Sequence, residues 1–358
     1  MRMESIKLPG YQIGLGSTEK LIDRLDEILA AEWSNVAVLV DDNTEEFCWP
    51  LIEDADWPMD AELLTIPSGE QHKTISSCEV IWEEFVRIGM DRHSLLINLG
   101  GGVIGDMGGF AASTFMRGFR FVNIPTTLLS QVDASVGGKL GVDFRGLKNM
   151  IGLFGDPLEV LICPEFLNTL HPRELVSGYA EVLKHTLIRD REEWERIKAM
   201  EPMEMQDWDA VISRSVKVKR DVVEVDRLES GLRKILNYGH TVGHAIETIM
   251  LEDEDPMLHG EAIAYGMVAE AWLSQQAGMI SAEDLQAITE VFSRVYPHRD
   301  LTRVEAELML NHMRHDKKNH GGQISLSLLT AIGEAKPDCQ ASDDQIIQSL
   351  GYVREVFS

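Results

Sequence analysis

The 358-residue chain sets 33 Lys and Arg against 59 Asp and Glu, a formal charge of −26, which argues against a nucleic-acid or anionic-membrane surface, since both need basic patches. Its 44% hydrophobic and 26% charged composition is that of a globular protein, long enough for about two domains with cores built without disulfides. Cys48, Cys78, Cys163 and Cys339 lie far apart with no C-x-x-C, so they read as free thiols of a reducing compartment; with no apolar signal-peptide core and no run of about 18 apolar residues, the expectation is a cytoplasmic protein.

In chain order, residues 36–40 (VAVLV) form a short apolar run ending in DDNT, a buried strand followed by a polar turn. Residues 61–67 (AELLTIP), 94–102 (SLLINLGGG), 119–125 (FRFVNIP) and 158–164 (LEVLICP) are further strands. Residues 74–89 (TISSCEVIWEEFVRIG) space their apolar positions at three and four, a helix stopping at Gly89. Strands alternating with helices predict a parallel sheet in an α/β layer. Beyond residue 170 the texture changes, and 173–188, 208–226, 232–250, 260–278 and 281–295 are all helix-periodic. The expected division is an α/β domain over 1–170 and an all-helical domain over 171–358.

The strand at 94–102 runs into NLGGGVIGDMGGF, with six glycines among residues 100–109. Glycines there let the backbone approach a ligand, and a helix opening next points unpaired amides at it, which suits a pyrophosphate. The G-x-G-x-x-G fingerprint itself is absent. Asp42, just after the strand at 36–40, is placed either to accept from an adenosine ribose or to form a turn. PSGEQHKT (67–74) alone reads as a capped helix start. In PTTLLSQVDASVGGKLGVDFRGLKNMIG (125–152), Asp133 and Lys139 bracket a double glycine, and Lys148 and Asn149 follow. Ammonium groups beside glycine turns suit a phosphorylated substrate.

NYGHTVGHAIE (237–247) sets His240 and His244 four apart, on one helical face, and follows them with a glutamate. His259 opens the next helix, and SGYAEVLKH puts Glu181 and Lys184 three apart. Two histidines and a carboxylate with an open position are a common catalytic zinc set. HTVGH lacks the general-base glutamate of H-E-x-x-H, and spacing leaves open which two histidines ligate. Arg233 and Asn237 continue the helical spacing of His240 and His244, so the four are expected on one face, with Lys219 and Glu229 nearby in sequence. Cations on an acidic chain, aimed at a metal, imply an anionic substrate; the competing reading is a solvated salt-bridged helix.

As an ordered set, GGGVIGDMGGF, PTTLLSQVDASVGGK, LKNMIG, SGYAEVLKH, RKILNYGHTVGHAIE and HGEAIAYGM resemble the 3-dehydroquinate synthase family of sugar phosphate cyclases over nearly the whole chain. The resemblance implies an α/β, Rossmann-like NAD-binding N-terminal domain and an all-α C-terminal domain holding one divalent metal, zinc or cobalt. Carried across, the ligands are Glu181, His240 and His259, and His244 faces the substrate phosphate. NAD would lie against Asp42, the turn of Ser68, Gly69, Glu70, Gln71, His72 and Lys73, the helix start of Gly102, Val103, Ile104, Gly105 and Asp106, then Thr126, Thr127, Lys139, Lys148 and the segment of Phe166, Leu167, Asn168 and Thr169. Substrate contacts would come from Asp133, Lys139, Asn149, Lys219, Arg233, Asn237, His244 and Lys317, with Lys184, Asp133, Glu229 and His244 in catalytic roles. Arg117 would reach the phosphate from a second subunit, implying a homodimer. One departure is Leu140, where the family often has threonine.

The implied reaction takes 3-deoxy-D-arabino-heptulosonate 7-phosphate, a phosphorylated sugar acid, to 3-dehydroquinate and phosphate in the shikimate pathway. It runs through transient oxidation by NAD, β-elimination of phosphate, re-reduction, ring opening and aldol closure, with no net redox change. Three alternatives stand beside it. One is a cyclase of the 2-epi-5-epi-valiolone or 2-deoxy-scyllo-inosose synthase type, one a metal-dependent polyol dehydrogenase, and one an NAD-binding regulator without turnover. Arg233 with Lys219 favours a substrate bearing a carboxylate, which the sugar phosphates of the first alternative lack.

Overall fold

In the computed structural model, which describes residues 3–145, 147–251, 253–314 and 324–357, the chain opens with an antiparallel hairpin, β1 (Glu4–Leu8) and β2 (Tyr11–Leu15), turned at Gly10 with φ +105°. After α1 (Thr18–Leu29) come β3 (Val36–Asp41), α2 (Asp42–Phe47), β4 (Glu62–Ile66), α3 (Ile75–Ile88), β5 (Leu95–Gly100), α4 (Gly102–Thr114) and β6 (Arg120–Pro125). A second hairpin, β7 (Lys139–Phe144) and β8 (Leu147–Phe154), precedes β9 (Glu159–Ile162). The main sheet runs β1-β2-β9-β6-β5-β3-β4, parallel apart from β1 against β2.

Successive strand residues face opposite sides, and here both sides are covered. Val38, Val40, Leu95, Ile97 and Leu99 pack with Leu21 and Leu25 of α1. Ala37, Leu39 and Leu96 pack with Ile81 and Phe85 of α3 and Met107 of α4. That is why these strands read as continuous apolar runs rather than alternating ones. Helix α3 ends where the sequence indicates, on Gly89 at φ +82°.

The strand order also locates a binding crevice. From β3 the chain moves outward to β4, whereas from β5 it moves the other way to β6, and β3 and β5 are paired neighbours. In an open α/β sheet, ligands bind beyond the carboxyl ends of the strands at this reversal. The residues there are Asp42 after β3 and Gly101 with Gly102 after β5.

Two compact units are resolved: Met1–His171 with Asp207–Arg220, and Pro172–Gln206 with Asp221–Ser358. The second unit is mainly helical, with α5 (Pro172–Arg189), α6 (Arg191–Ile197), the end of α7 (Trp208–Val225), α8 (His240–Met250), α9 (His259–Gln276), α10 (Ala282–Val295), α11 (Ala306–Arg314) and α12 (Asp343–Val356). It adds one hairpin, β10 (Leu326–Ala331) with β11 (Glu334–Cys339), absent from the all-α reading. No described helix is long and apolar enough to cross a membrane.

A second correction concerns 232–250, read from its period as one helix. Leu232–Asn237 is instead a 3-10 turn, Tyr238 leaves helical geometry, and Gly239 takes φ +81° before α8 starts at His240. Arg233 and Asn237 therefore do not share a helical face with His240 and His244. Close packing forces the break: a Cβ on Gly239 would lie 2.3 Å from Met267 Cγ and 3.0 Å from the Ile263 carbonyl oxygen.

Candidate active site

In the first unit the six glycines of 100–109 divide into two jobs. A Cβ on Gly108 would fall 2.0 Å from Asn98 Oδ1 and 2.8 Å from Leu39, and one on Gly109 2.5 Å from Leu140, so these two let α4 lie flat on β5, β3 and β7. A Cβ on Gly102 or Gly105 would meet nothing nearer than 3.4 Å. These two instead keep the α4 N-terminus open, and Gly101 offers it no side-chain cap. Uncapped amides at a helix start, bare of side chains and at the strand-order reversal, fit a dinucleotide pyrophosphate.

Some of the predicted cofactor residues are tied to one another here by hydrogen bonds and an ion pair. Asp42 Oδ1 accepts from the Ser68 amide at 2.9 Å, joining the ends of β3 and β4, and that bonding to Ser68 holds the exposed Asp42 carboxyl below the usual range. Lys73 is buried and pairs with Asp106 at 2.6 Å, fastening the 68–73 turn to α4. Burial works against the ammonium, but Asp106 and Glu70 outweigh it and the Lys73 pKa is raised. Gln71 and His72 share the short 3-10 turn that Gly69, at φ +107°, introduces. The Thr126 amide donates to the Gly100 carbonyl at 3.0 Å, setting Thr126 and Thr127 beside the glycines. Three side chains have other employment: Ile104, Phe166 and Leu167 are buried in the core, leaving Val103, Asn168 and Thr169 less enclosed. Leu140 is likewise core, under α4, which accounts for an apolar residue at that position.

The hairpin β7–β8 carries Lys139, Lys148 and Asn149. It docks on the 68–73 turn, with the Asp143 amide donating to the Lys73 carbonyl at 2.8 Å, and Lys148 Nζ lies 3.7 Å from Glu70. Asp133 sits in a π-helical turn, Ser130–Ala134, a form common at functional sites. It is 2.9 Å from the buried Lys219 of α7. Asn149 and Arg117 have φ of +49° and +71°, and Glu229 in the second unit has +61°. Left-handed backbone at non-glycine residues is uncommon and concentrates at functional positions. Arg117 is exposed. Lys317 lies outside the described residues.

In the second unit, α5 is buried along most of its length and brings up Glu181, fully buried, beside Lys184, 1% exposed and ion-paired with it. Neither Glu181 oxygen accepts a well-formed hydrogen bond from the described residues, although Oε1 is 3.5 Å from His240 Nε2. A buried carboxylate needs a compensating charge, which Lys184 supplies on Oε2, while Oε1 is the oxygen that faces His240. His240, His244 and His259 converge, with ligand atoms within 4.8 Å of one another. Two of these rings have their Nδ1 engaged by groups that accept: the Tyr238 carbonyl 3.2 Å from His240, and the Glu247 carboxylate 3.2 Å from His259. The neutral rings then carry hydrogen on Nδ1 and a lone pair on Nε2. A carboxylate oxygen beside imidazole lone pairs is the kind of donor set that a divalent transition metal takes.

Asn237 donates to Glu229 at 2.6 Å, and Arg233 is buried, not on a solvated face. Asp226, which belongs to no motif above, organises this loop by accepting from the amides of Ser230, Gly231 and Arg233 at 2.9, 2.7 and 3.0 Å. Burial pushes its carboxyl up, but these bonds outweigh it and bring the pKa to about 2. An aspartate a few residues before Ser-Gly was the available signal. Glu270, likewise in no motif above, is fully buried and accepts from the Gly239 amide at 2.7 Å, capping the helix that carries His240.

Residues 63–177 match the family described as 3-dehydroquinate synthase N-terminal, and residues 178–319 that described as 3-dehydroquinate synthase C-terminal. The 3-dehydroquinate synthase of Parabacteroides distasonis is 40% identical over 334 residues, 93% of this chain and 95% of that protein. The enzyme of the same name from Psychrobacter cryohalolentis is 44% identical over 289 residues, 80% of this chain and 78% of that one. Among solved structures, 2-epi-5-epi-valiolone synthase from Streptomyces hygroscopicus subsp. jinggangensis, with NAD+ and Zn2+ bound, superposes with a TM-score of 0.86 at 26% identity over 99% of both chains. Together with the two matched halves and the sheet order above, these identities show that the chain belongs to the 3-dehydroquinate synthase family.

Proposed function

We propose that this chain is a phosphate-eliminating lyase that converts 3-deoxy-D-arabino-heptulosonate 7-phosphate to 3-dehydroquinate, using a recycled NAD and one zinc or cobalt ion. The observation that carries the reading is the buried Glu181 carboxylate beside His240, with His259 turned to present Nε2. Identity of about 40% to 3-dehydroquinate synthases across nearly all of the chain supports this substrate over other cyclisable sugar phosphates. Residues 1–170 are the NAD-binding domain and residues 171–358 the metal- and substrate-binding domain. The protein works in the cytoplasm as a homodimer, with Arg117 serving its neighbour's site.

When bound, the metal supplies Lewis acidity to the sugar hydroxyls and NAD a hydride acceptor that is regenerated. The protein's own groups do the rest. Glu181, His240 and His259 hold the metal. Lys184, buried beside Glu181, supplies positive charge where alkoxide and enolate charge builds up. Asp133, held by Lys219, and Glu229, held by Asn237, orient hydroxyls. Arg233 and Lys219 are cations for the substrate carboxylate. Lys139, Asn149, His244 and Lys317 receive the phosphate, which can itself serve as base as it leaves.

The test is turnover of the heptulosonate phosphate with catalytic NAD. Inorganic phosphate should appear in proportion to substrate consumed, with no net change in absorbance at 340 nm, and a chelator should stop it. Stoichiometric NADH would instead point to a polyol dehydrogenase.

A further inference from the structure

Helices α8 and α9 approach so closely that no side chain fits between their backbones. A Cβ on Gly266 would fall 1.9 Å from the Gly239 carbonyl oxygen and 2.6 Å from the Gly243 amide nitrogen, and one on Gly243 would fall 2.9 Å from the Ala262 carbonyl oxygen. Beside this seam each helix sends a carboxylate to the other's first residues. Glu270 of α9 caps α8 at Gly239, and Glu247 of α8, 3% exposed, reaches His259 Nδ1 at the start of α9. Glu247 lies one turn beyond His244 on α8, so the helix that carries two of the converging imidazoles also orients the third.

Resting on the metal site proposed above, we infer that Glu247 is a positioning residue for the metal centre: it fixes the His259 ring and its Nδ1–H tautomer so that Nε2 faces the ion. An ionised carboxylate can only accept, so the 3.2 Å contact makes Nδ1 the donor and leaves the lone pair on Nε2. The same contact restrains ring rotation, which matters because His259 is the first residue of α9 and its side chain is 28% exposed. Negative charge behind an imidazole also raises its basicity as a ligand, and outer carboxylates of this kind are worth roughly 10–100-fold in metal affinity.

The experiment measures zinc affinity of the full-length chain, stripped with chelator and titrated against a chromophoric competitor, and the visible spectrum of the cobalt form. E247A should fold and weaken zinc binding by about 10–100-fold. E247Q should fall between E247A and wild type, because its amide oxygen still accepts from Nδ1–H without the charge, and it should shift the cobalt bands. E247A binding zinc as wild type does would overturn the inference, whether or not its melting temperature falls, since a merely structural carboxylate would move only the melt. If E247A does not fold, the isosteric E247Q decides, and an unchanged affinity and cobalt spectrum would overturn it. Failure of the wild type to bind zinc or cobalt at all would remove the metal reading itself, and this inference with it.

Discussion

Glu181→Gln is expected to lower turnover by about 10³-fold and to weaken zinc binding beyond detection in a competitive titration. Lewis-acid stabilisation is worth several kcal/mol, and each 1.36 kcal/mol is about tenfold in rate, so losing the ion costs on that order. Glutamine keeps the volume of a fully buried side chain, so the substitution removes charge and chelation rather than shape. It also leaves the Lys184 ammonium buried without its carboxylate, and breaking such a pair costs roughly 3–5 kcal/mol of stability. The melting temperature should therefore fall as well, and activity must be measured well below it. His244→Ala should behave differently. If His244 faces the phosphate, it should raise KM while leaving zinc affinity within a few-fold of wild type.

Gly266→Ala has the second largest expected effect. The added Cβ meets only backbone at the start of α8, the Gly239 carbonyl and the Gly243 amide, so no rotamer change relieves it and α8 must move away from α9. Overpacking of a core costs about 1–3 kcal/mol and more where backbone must shift. At roughly 2–4 °C per kcal/mol for domains of this size, the melting temperature should drop by about 10 °C. Because α8 carries His240 and His244, zinc affinity should fall with it. Gly351→Ala is the comparison: a Cβ there meets nothing within 4 Å in α12, and alanine in a helix is favoured over glycine by about 1 kcal/mol, so the melt should hold or rise. Equal melting curves for the two variants would contradict the close α8–α9 seam.

Much of this was legible in the residues, and the parts that were not have physical reasons. β3, β5 and β6 show as apolar runs because a parallel sheet covered on both faces buries consecutive residues. β1 (ESIKL) and β11 (EAKPDC) are short and rich in charge; pairing across a hairpin, not propensity, makes them strands. Phe166 and Leu167 follow a strand end, and the burial of their side chains is set by packing that the sequence does not print. The convergence of His240, His244 and His259 follows from spacing and a glycine-rich seam. The false extension of that face to Arg233 and Asn237 follows from the same spacing, since an isolated glycine inside a helical period does not announce its φ. Glu247 stands in plain view after the two histidines, yet its partner is twelve residues further along, and only the packing of α8 on α9 brings them together.

The most direct test of the metal centre is a crystal soaked in zinc, with anomalous differences collected at the zinc edge. One strong peak is expected about 2.0–2.2 Å from a Glu181 oxygen and from Nε2 of both His240 and His259, with His244 outside bonding distance. A peak held by all three imidazoles with Glu181 apart from it, or no peak near these side chains, would contradict the account.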